Sequence, residues 1–588
     1  MQKRYPFITK LFIILITSAS LTNLSYSQEK NIPEQHKEKI EDAKAKLSKD
    51  DQTTSPAFTY RDDMIFVSQV NVNENGVNIR NDAANEPSIA FDVNNPNNMA
   101  IGWRQFDNIS SNFRQAGYAY TTDGGMTWTF PGVIDPGVFR SDPVLDSDSD
   151  GNFYYNSLTS DNTGFWCNVY KSTDGGATWD NGTYAYGGDK QWMVIDKVSE
   201  IGRGNIYAYW TSYYSICAPN SFTRSVDGGQ SFKECTYIPN EPYWGTLAVA
   251  KNGDLYIGGF DGENYVVVKS TSAKYADSVV TFKDPVTVDL GGPLAGFGGP
   301  NAGGITGQTY IAVDTSDGIY SGAVYLLGTV MKNYGDGTID HADLMIAASN
   351  DGGITWLPPV KISDDKLSLA WQWFGTLSVA PNGRLDVIWL DTRNAPEGTY
   401  FSELYYSFSY DGGQTWYPNV KLIDESFDPH VGWPNQNKMG DYFDMVSDNE
   451  GVHLAWAATY NRGQDVFYAR IFTDVINSVE DKNNNLPSEF VLEQNYPNPF
   501  NPSTTIKFTI PRVETTRRVV STKLIVYDIL GREVQTLLNK SMQPGTYEVN
   551  FNASGLANGV YFYTLRIDNL SANTWQAFVQ TKKMILMK

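Results

Sequence analysis

The amino-acid sequence predicts an all-β chain in which a seven-bladed β-propeller is followed by a small β-sandwich. Two internal repeats and one change of pattern support this prediction. A motif built on Asp-Gly-Gly occurs five times between residues 121 and 416, and a longer strand–turn–strand unit occurs seven times in the same region. Beyond residue 487 both repeats stop and a new set of short strand-like segments begins. Units of paired strands repeated at about 50 residues are typical of propellers.

Each Asp-Gly-Gly copy has the composition of a β-hairpin turn. The aspartate can accept hydrogen bonds from turn amides, the glycines permit positive φ, and the Thr or Ser with its aromatic neighbour starts the return strand. We therefore expect these aspartates to be structural and not catalytic. They are Asp123, Asp174, Asp227, Asp351 and Asp411, in copies that span residues 121–128, 172–179, 225–232, 349–356 and 409–416.

This motif resembles the Asp box, or bacterial neuraminidase repeat, of sialidases and of many proteins that are not sialidases. The resemblance implies an Asp-box propeller over residues 57–475. Seven strand–turn–strand units favour seven blades, with residues 64–70 as the strand that closes the last one. The fourth unit lacks a clear Asp box and a sialidase ring has six blades, so six is the alternative. The units are residues 87–103, 142–158, 191–210, 244–260, 310–328, 374–391 and 442–459.

The C-terminal segment is a separate domain. A polar linker, residues 476–487, precedes short strands in residues 488–588. Three motifs mark this segment: YPNPFNPSTTI at 496–506, VYDILGREV at 526–534 and LANGVYFY at 556–563. They resemble the type A C-terminal sorting domain of the type IX secretion system. The resemblance implies a small β-sandwich that an outer-membrane translocon recognises, which makes this translocon a partner of the chain.

The N-terminus has the three parts of a secretory signal peptide. Lys3, Arg4 and Lys10 form its basic end, residues 11–16 begin its apolar run, and a small-x-small site precedes Gln28. We expect residues 1–27 to be removed and residues 28–56, which are charged and poor in large apolar side chains, to form a mobile leader. The mature chain is then secreted or held at the outer cell surface, without a transmembrane segment.

The net charge of the chain narrows the classes of ligand. The net charge is -21 and the pI about 4.6. Residues 486–588 hold 11 Lys and Arg against 7 Asp and Glu, so the excess acid lies before them. This acidity argues against nucleic acid as a partner.

Cys217 and Cys235 flank the third Asp-Gly-Gly motif and are expected to form a disulfide, whereas Cys167 is expected to be a buried thiol.

Candidate site residues lie where each innermost strand begins, because these positions surround the mouth of a propeller's central channel. Carboxylates grouped with aromatic rings suit a sugar site, in which acids bond hydroxyls and rings stack on pyranose faces. Acidic rims and tryptophans packed between blades are the alternative. The candidate ligand-binding residues are Arg104, Arg140, Asp189, Lys190, Trp192, Glu241, Trp244, Trp371 and Trp373, and weak catalytic candidates are Glu86, Asp142, Asp391, Arg393 and Asp441.

The sequence leaves catalysis open. The resemblance to sialidases implies three arginines for the substrate carboxylate, the first in an Arg-Ile-Pro-like motif, and this chain has no such motif. Arg393 could be oriented by Asp391, although an ordinary ion pair at a strand end is the alternative. The favoured hypothesis is a propeller that binds glycans or proteins at its channel mouth. The alternative is a glycoside hydrolase of sialidase-like fold.

One acidic run could hold a metal. Asp146, Asp148 and Asp150 alternate before Gly151, as in the first half of a calcium loop, and Ca²⁺ is a possible cofactor there. The bidentate glutamate of such loops is missing, since residue 157 is Ser, and a solvated turn is the alternative reading. The four histidines have no zinc-ligand spacing. The sequence therefore establishes no cofactor and leaves Ca²⁺ as the candidate.

Overall fold

A computed structural model describes residues 53–161, 163–333, 339–366, 369–473, 490–510, 520–542, 545–568 and 578–588. The expected signal peptide, most of the leader and most of the linker lie outside these residues. In the described part all 39 secondary-structure elements are β-strands, which confirms the all-β prediction. The chain divides into two compact units, one comprising residues 1–60 and 66–470 and the other residues 61–65 and 471–588.

Four short strands precede the repeated sheets. They are β1 (Thr54–Ser55), β2 (Thr59–Arg61), β3 (Ile65–Gln69) and β4 (Asn78–Ile79). β1 pairs with β4, although the sequence places Thr54 and Ser55 in the leader. β2 and β3 join strands from near the other end of the repeat region in a sheet with the order β2-β3-β32-β31-β30.

Six further sheets follow in chain order, each built from consecutive strands. Sheet 1 is β5 (Ala83–Phe91), β6 (Met99–Phe106), β7 (Gln115–Thr121) and β8 (Thr129–Ile134); sheet 2 is β9 (Ser141–Ser147), β10 (Phe153–Asp161), β11 (Gly164–Ser172) and β12 (Thr183–Tyr184); sheet 3 is β13 (Trp192–Ile195), β14 (Ile206–Tyr209) and β15 (Phe222–Ser225). Sheet 4 is β16 (Leu247–Val249), β17 (Leu255–Phe260), β18 (Tyr265–Ser270) and β19 (Val286–Val288).

A two-stranded hairpin, β20 (Phe297–Gly298) and β21 (Asn301–Ile305), separates sheets 4 and 5. Sheet 5 is β22 (Tyr310–Val313), β23 (Val324–Asn333), β24 (Ile339–Ser349) and β25 (Val360–Lys361); sheet 6 is β26 (Gln372–Val379), β27 (Leu385–Asp391), β28 (Glu403–Ser409) and β29 (Val420–Lys421). Sheet 7 contains β30 (Asp444–Ser447), β31 (Gly451–Ala458) and β32 (Asp465–Phe472), completed by β3 and β2.

The first strand of each sheet contacts the first strand of the next. These contacts run through β5, β9, β13, β16, β22, β26 and β30, and β30 also contacts β5. Large aromatic side chains on later strands are fully buried, among them Trp103, Trp389 and Trp456. Aromatic side chains remove 150–250 Å² each from water, at about 25 cal/mol per Å², so they dominate the packing between sheets.

The five Asp-Gly-Gly motifs share one hydrogen-bonding arrangement. In the fourth, Asp351 accepts bonds from Ser349 Oγ at 2.8 Å, from the Thr355 amide at 2.9 Å and from Thr355 Oγ1 at 2.5 Å. The bonds from Thr355, followed by that from Ser349, lower the pKa of this carboxyl to about 2. Four of these aspartates hold the turn between the third and fourth strands of a sheet, and Asp227 holds the turn that follows β15, the last strand of sheet 3.

The second unit contains two sheets around one hydrophobic core. Its strands are β33 (Val491–Leu492), β34 (Ser503–Ile510), β35 (Val520–Tyr527), β36 (Glu533–Met542), β37 (Gly545–Asn552), β38 (Gly559–Asp568) and β39 (Phe578–Leu586). One sheet has the order β33-β34-β37 and the other β36-β35-β38-β39. Strands in both sheets alternate buried and exposed residues, and the inner residues, such as Phe508 and Tyr563, form the core.

The three cysteines lie in the first unit. Cys217 and Cys235 form a disulfide with their Cα atoms 6.2 Å apart. It spans the third Asp-Gly-Gly turn, whose flanking segments are short. Cys167 is a free, buried thiol, and burial raises its pKa, which makes it a packing residue and not a nucleophile.

Candidate functional site

Irregular backbone at the starts of the first strands turns polar side chains toward the centre of the first unit. The pairing register shifts between Asn85 and Ser88, and Glu86 between them has φ 51°. Asp142 and Lys190 occupy comparable positions with φ 46° and 56°. A positive φ is strained for residues with side chains, and bulges re-aim the side chains they contain. The strain is thus repeated near the starts of the first three of these strands, β5, β9 and β13.

These side chains meet in a buried cluster of charges. Lys190 Nζ lies 2.8 Å from Asp441 Oδ2, and Lys438 Nζ lies 2.6 Å from the same oxygen. Lys438 Nζ is also 3.6 Å from Glu86 Oε1, whose other oxygen is 3.0 Å from Arg104 Nε. The structure thus brings together Glu86, Arg104, Lys190 and Asp441, which the sequence offered as separate candidates, and adds Lys438 to them.

The remaining members of the cluster balance its charge. Lys190 Nζ lies 3.4 Å from Asp189 Oδ1 and 4.0 Å from Asp142 Oδ2. Arg114, which donates to Ser141 Oγ at 3.1 Å, contributes a further buried cation that interacts with Asp142 and Asp189. The ionic cluster, as we call it, therefore contains four carboxylates and four cations: Glu86, Asp142, Asp189, Asp441, Arg104, Arg114, Lys190 and Lys438.

The pKa values within the ionic cluster diverge. Burial raises the pKa of Glu86 well above its usual range and that of Asp189 to about 6. Burial acts in the same direction on Asp441, but Lys190 and Lys438 outweigh it and hold the pKa of that carboxyl well below its usual range. Burial lowers the pKa of Lys438. The two buried carboxyl groups beside the Lys438 ammonium therefore have pKa values shifted in opposite directions.

A glycine-rich segment lies against the ionic cluster. This glycine loop, residues 291–307, contains eight glycines and the β20–β21 hairpin. Asn301 donates to the Gly440 carbonyl at 2.8 Å and accepts from the Met439 amide at 2.8 Å, while the Ile305 amide donates to Asp441 Oδ1 at 2.9 Å. A Cβ on Gly304 would lie 2.7 Å from that oxygen, so only glycine fits without displacement.

Below the charges, aromatic rings fill the centre. Trp192 packs edge-on against Tyr310 at 5.5 Å and Tyr442 at 5.2 Å between ring centroids, and all three are buried. Trp244 and Trp373 are buried too, and Trp373 Nε1 donates to Ser402 Oγ. Three of the four candidate tryptophans therefore pack inside the protein, and Trp371 alone among the four is partly exposed.

The other candidate residues lie outside the ionic cluster. Glu241 accepts from Ser212 Oγ at 3.0 Å. Arg140 pairs with Asp135 at 2.8 Å and donates to Asn168. Arg393 is held by Asp391 at 2.8 Å, and it also bonds Asp364 and Asn419. Each of these groups is engaged by neighbouring protein side chains.

The three aspartates of the acidic run, which begins in β9, have different partners. Asp146 pairs with Lys197 and accepts from the Ile195 amide, whereas Asp148 accepts four bonds from residues 150–154. Asp150 is exposed. Within the described ranges no group of three or more His, Cys, Asp or Glu is arranged to hold a metal ion. The arrangement fits a hydrogen-bonded turn.

A chain of aromatic rings, absent from the sequence-based candidates except for Trp371, lies on one face of the first unit. Ring centroids are 5.0 Å apart for His341 and Trp371, 6.5 Å for Trp371 and Tyr400, 5.2 Å for Tyr400 and His430, and 4.9 Å for His430 and Trp433. We call these five residues the aromatic arc.

The aromatic arc lies on the face where the first strands begin. Trp371 immediately precedes β26, Tyr400 lies between β27 and β28, and His430 and Trp433 lie between β29 and β30. Because adjacent strands alternate in direction, these connections share one face, opposite the Asp-Gly-Gly turns. His430 is exposed and the other four rings are partly exposed. Sequence reasoning missed this group, since its members come from connections without a repeated motif.

Lys438 and Arg114 were also missed. Lys438 lies three residues before Asp441, and that spacing was the available signal. Arg114 lies just before β7 and begins no first strand, yet its side chain bonds Ser141 Oγ and interacts with Asp142 and Asp189. Neither residue stands out as a site residue without the fold.

Comparisons with known proteins identify the C-terminal segment. Residues 494–580 match the family described as secretion system C-terminal sorting domain. The chain carries a type IX sorting domain. It is therefore exported, to the cell surface or the medium, which confirms the prediction from the three C-terminal motifs. No helix among the described residues has the length and apolar character needed to cross a membrane.

Solved structures resemble the chain only distantly. A protein of unknown function from Dyadobacter fermentans is 14% identical with a TM-score of 0.39, covering 70% of this chain and 99% of that one. The Hadza microbial sialidase Hz136 is 14% identical with a TM-score of 0.34, covering 64% and 77%. The Trypanosoma rangeli sialidase is 10% identical with a TM-score of 0.35, covering 90% and 89%. No curated protein matches the chain.

Proposed function

We propose that the first unit is a closed seven-bladed propeller that binds neutral glycans outside the cell through the aromatic arc. The contacts between successive first strands, from β5 through β30 and back to β5, support the closed ring. The sheet that joins β2 and β3 to β32 supports it as well, because it pairs the beginning of the repeat region with its end. Such closure removes free sheet edges.

The aromatic arc is the observation that carries the proposed ligand. Aromatic rings present apolar faces and polar edges, and both match the pyranose ring of a sugar. Five rings in a continuous series can contact several sugar units at once, which suits a polysaccharide. The excess of acid in the chain before residue 486 disfavours acidic sugars and leaves neutral ones.

The ionic cluster supports binding over hydrolysis. Glycoside hydrolases need two carboxyl groups that face the substrate, separated by about 5–10 Å. Here the Lys438 ammonium lies between Glu86 and Asp441, the glycine loop lies against them, and both carboxylates are buried. Four cationic side chains also lie among the four carboxyl groups of the cluster. The cluster therefore fits a structural role at the centre of the ring.

Binding of the exported chain to a panel of insoluble neutral polysaccharides tests the proposal. Trp433→Ala and Tyr400→Ala should each weaken retention by about tenfold, the value of one lost stacking contact. Tyr275→Ala is the matched control, because Tyr275 is 47% exposed and lies after β18, outside the aromatic arc. Equal effects of the three variants, or retention by none of the polysaccharides, would contradict glycan binding at the arc.

Turnover is measured on the same samples. A panel of fluorogenic glycosides should give no hydrolysis above the level of a Glu86→Gln variant. Hydrolysis that this variant abolishes would instead establish the alternative function, a glycoside hydrolase.

A further inference from the structure

The strands of the second unit define two ends. At one end, Tyr527 pairs with Glu533 on β36 and with Phe562 on β38, and β38 begins beside the last residue of β39, Leu586. The other sheet contributes to the same end, because Phe500, just before β34, bridges to Leu586. We call this the turn end, after the connection between β35 and β36.

The three motifs of the sorting domain converge on the turn end. Residues 496–506 lead into β34, residues 526–534 form the β35–β36 turn, and residues 556–563 lead into β38. The Ile585 amide donates to Asn498 Oδ1 at 2.9 Å, and Lys588 Nζ donates to the Ser554 and Leu556 carbonyls at 2.6 Å. Segments far apart in sequence thus build one surface.

Large apolar side chains are exposed at the turn end. Tyr496 is 82% exposed, Ile529 and Leu530 are each 73% exposed, and Met587 is 59% exposed. The described second unit exposes Val491 and Val579 as well, but these pair with Thr509 and Arg566, toward the opposite end. Exposed apolar groups collected on one surface mark an interaction site.

The turn that carries Ile529 and Leu530 is held in one conformation. Asp528 Oδ1 accepts from the Leu530 and Arg532 amides, each at 2.9 Å, and Asp528 Oδ2 accepts from Arg532 Nε at 2.7 Å. Gly531 has φ 77°, which suits glycine. A fixed turn loses little conformational entropy when a partner binds it.

We propose that the turn end is the surface by which the type IX export machinery holds this chain, with Ile529 and Leu530 entering an apolar pocket of a partner protein. The turn lies within residues 494–580, the part that matches the sorting family. Two aliphatic side chains bury far less than the roughly 1,200 Å² that a stable complex needs, so they suit a transient hold and not a permanent dimer.

Export of the full chain in a bacterium with a type IX system tests this surface. We compare Ile529→Ser/Leu530→Ser with Val491→Ser/Val579→Ser, a control that removes two exposed apolar groups at the opposite end. The turn variant should lower the extracellular fraction by about tenfold or more, because losing two buried aliphatic side chains weakens the binding of the turn by about a hundredfold or more. The control should be exported like the parent. Unchanged export of the turn variant, or equal loss in both, overturns the proposal.

Photo-crosslinking provides a readout that is independent of folding. A photoreactive residue at position 530 of the full chain should yield an adduct with a protein of the export apparatus, and one at position 491 should not. An adduct at position 530 with a second copy of this chain, or with its own first unit, overturns the proposal, as does labelling that is equal at the two positions.

Discussion

The Lys190 ammonium lies 2.8 Å from Asp441 Oδ2, although the two residues belong to the starts of sheets 3 and 7. Asp189, Asp142 and Glu86 surround the same ammonium, and together they outweigh burial and raise the pKa of Lys190 well above its usual range. The lysine therefore stays charged although it is buried. Its ion pair with Asp441 connects sheets that are not neighbours along the chain.

Removing this ammonium should destabilise the first unit. In Lys190→Met, Asp441 loses one of its two lysines, and Asp189 and Asp142 each lose an ion-pair partner. A buried charge left without its partner costs about 3–5 kcal/mol. The midpoint of urea unfolding should fall accordingly. Lys251→Met, which removes an exposed lysine, should leave the midpoint unchanged; equal shifts in the two variants would mean that the cluster contributes no special stability.

The glycine loop should separate from the ionic cluster when Gly304 gains a side chain. A Cβ there would lie 2.5 Å from Asn301 Nδ2 and 2.8 Å from the Gly440 carbonyl oxygen. Gly304→Ala should therefore raise hydrogen exchange at the amides of residues 301–305 by about tenfold or more, the change for each 1.4 kcal/mol of lost protection.

Gly463→Ala is the control for the glycine loop, because a Cβ at that position meets only Asp465 Oδ2, at 3.9 Å. Hydrogen exchange at the amides of residues 301–305 should be the same in this variant as in the parent. If Gly304→Ala also exchanges at the parental rate, the bonds from Asn301 and Ile305 do not determine how the loop is held.

Much of the fold could be predicted because its determinants are local. A turn such as Ser349 to Thr355 is defined by bonds within seven residues, so the sequence displays it directly. Alternating strands and the three C-terminal motifs are equally local. The contact between the glycine loop and Asp441 joins residues 136 positions apart, and no spacing rule reveals it.

The candidate site was predicted in part for the same reason. Glu86, Asp142 and Asp441 were found by their equivalent places in the repeat, and the structure brings them to one cluster. Sequence position does not show whether a side chain faces water. Trp192 and Trp373 therefore looked like stacking platforms, although they are packing residues in the structure.

The disulfide should stabilise the first unit because it lowers the conformational entropy of the unfolded chain. Cys217 and Cys235 are separated by 18 residues, and closing a loop of this size is worth about 3 kcal/mol in chain entropy. Cys217→Ser/Cys235→Ser should lower the free energy of urea unfolding by about that amount. Adding a reductant should lower the stability of the parent to the level of this variant and should not affect the variant. A parent that is insensitive to reductant would contradict the prediction.

Asp444 should make stability depend on pH. Burial, with a smaller effect from Asp146, raises its pKa to about 7, although Ser88 Oγ and the Ile89 amide donate to it. A carboxyl whose pKa is higher in the folded chain than in the unfolded chain favours folding when it is protonated. This contribution is complete below pH 3.8, the pKa in the unfolded chain, and it is lost as the pH rises from there to about 7. The loss amounts to about 4 kcal/mol, since each pKa unit is worth about 1.4 kcal/mol.

Asp444→Asn keeps an acceptor for Ser88 and Ile89 and removes the titrating group. Above pH 7 the free energy of unfolding in urea should therefore be about 2–4 kcal/mol higher for the variant than for the parent. This difference should shrink as the pH falls toward 4. Because every other titrating group is common to both chains, the difference between their pH profiles isolates Asp444. Asp424→Asn, at an exposed position, should show no such dependence. A constant difference between Asp444→Asn and the parent from pH 4 to 8 would show that this carboxyl is not protonated in the folded chain.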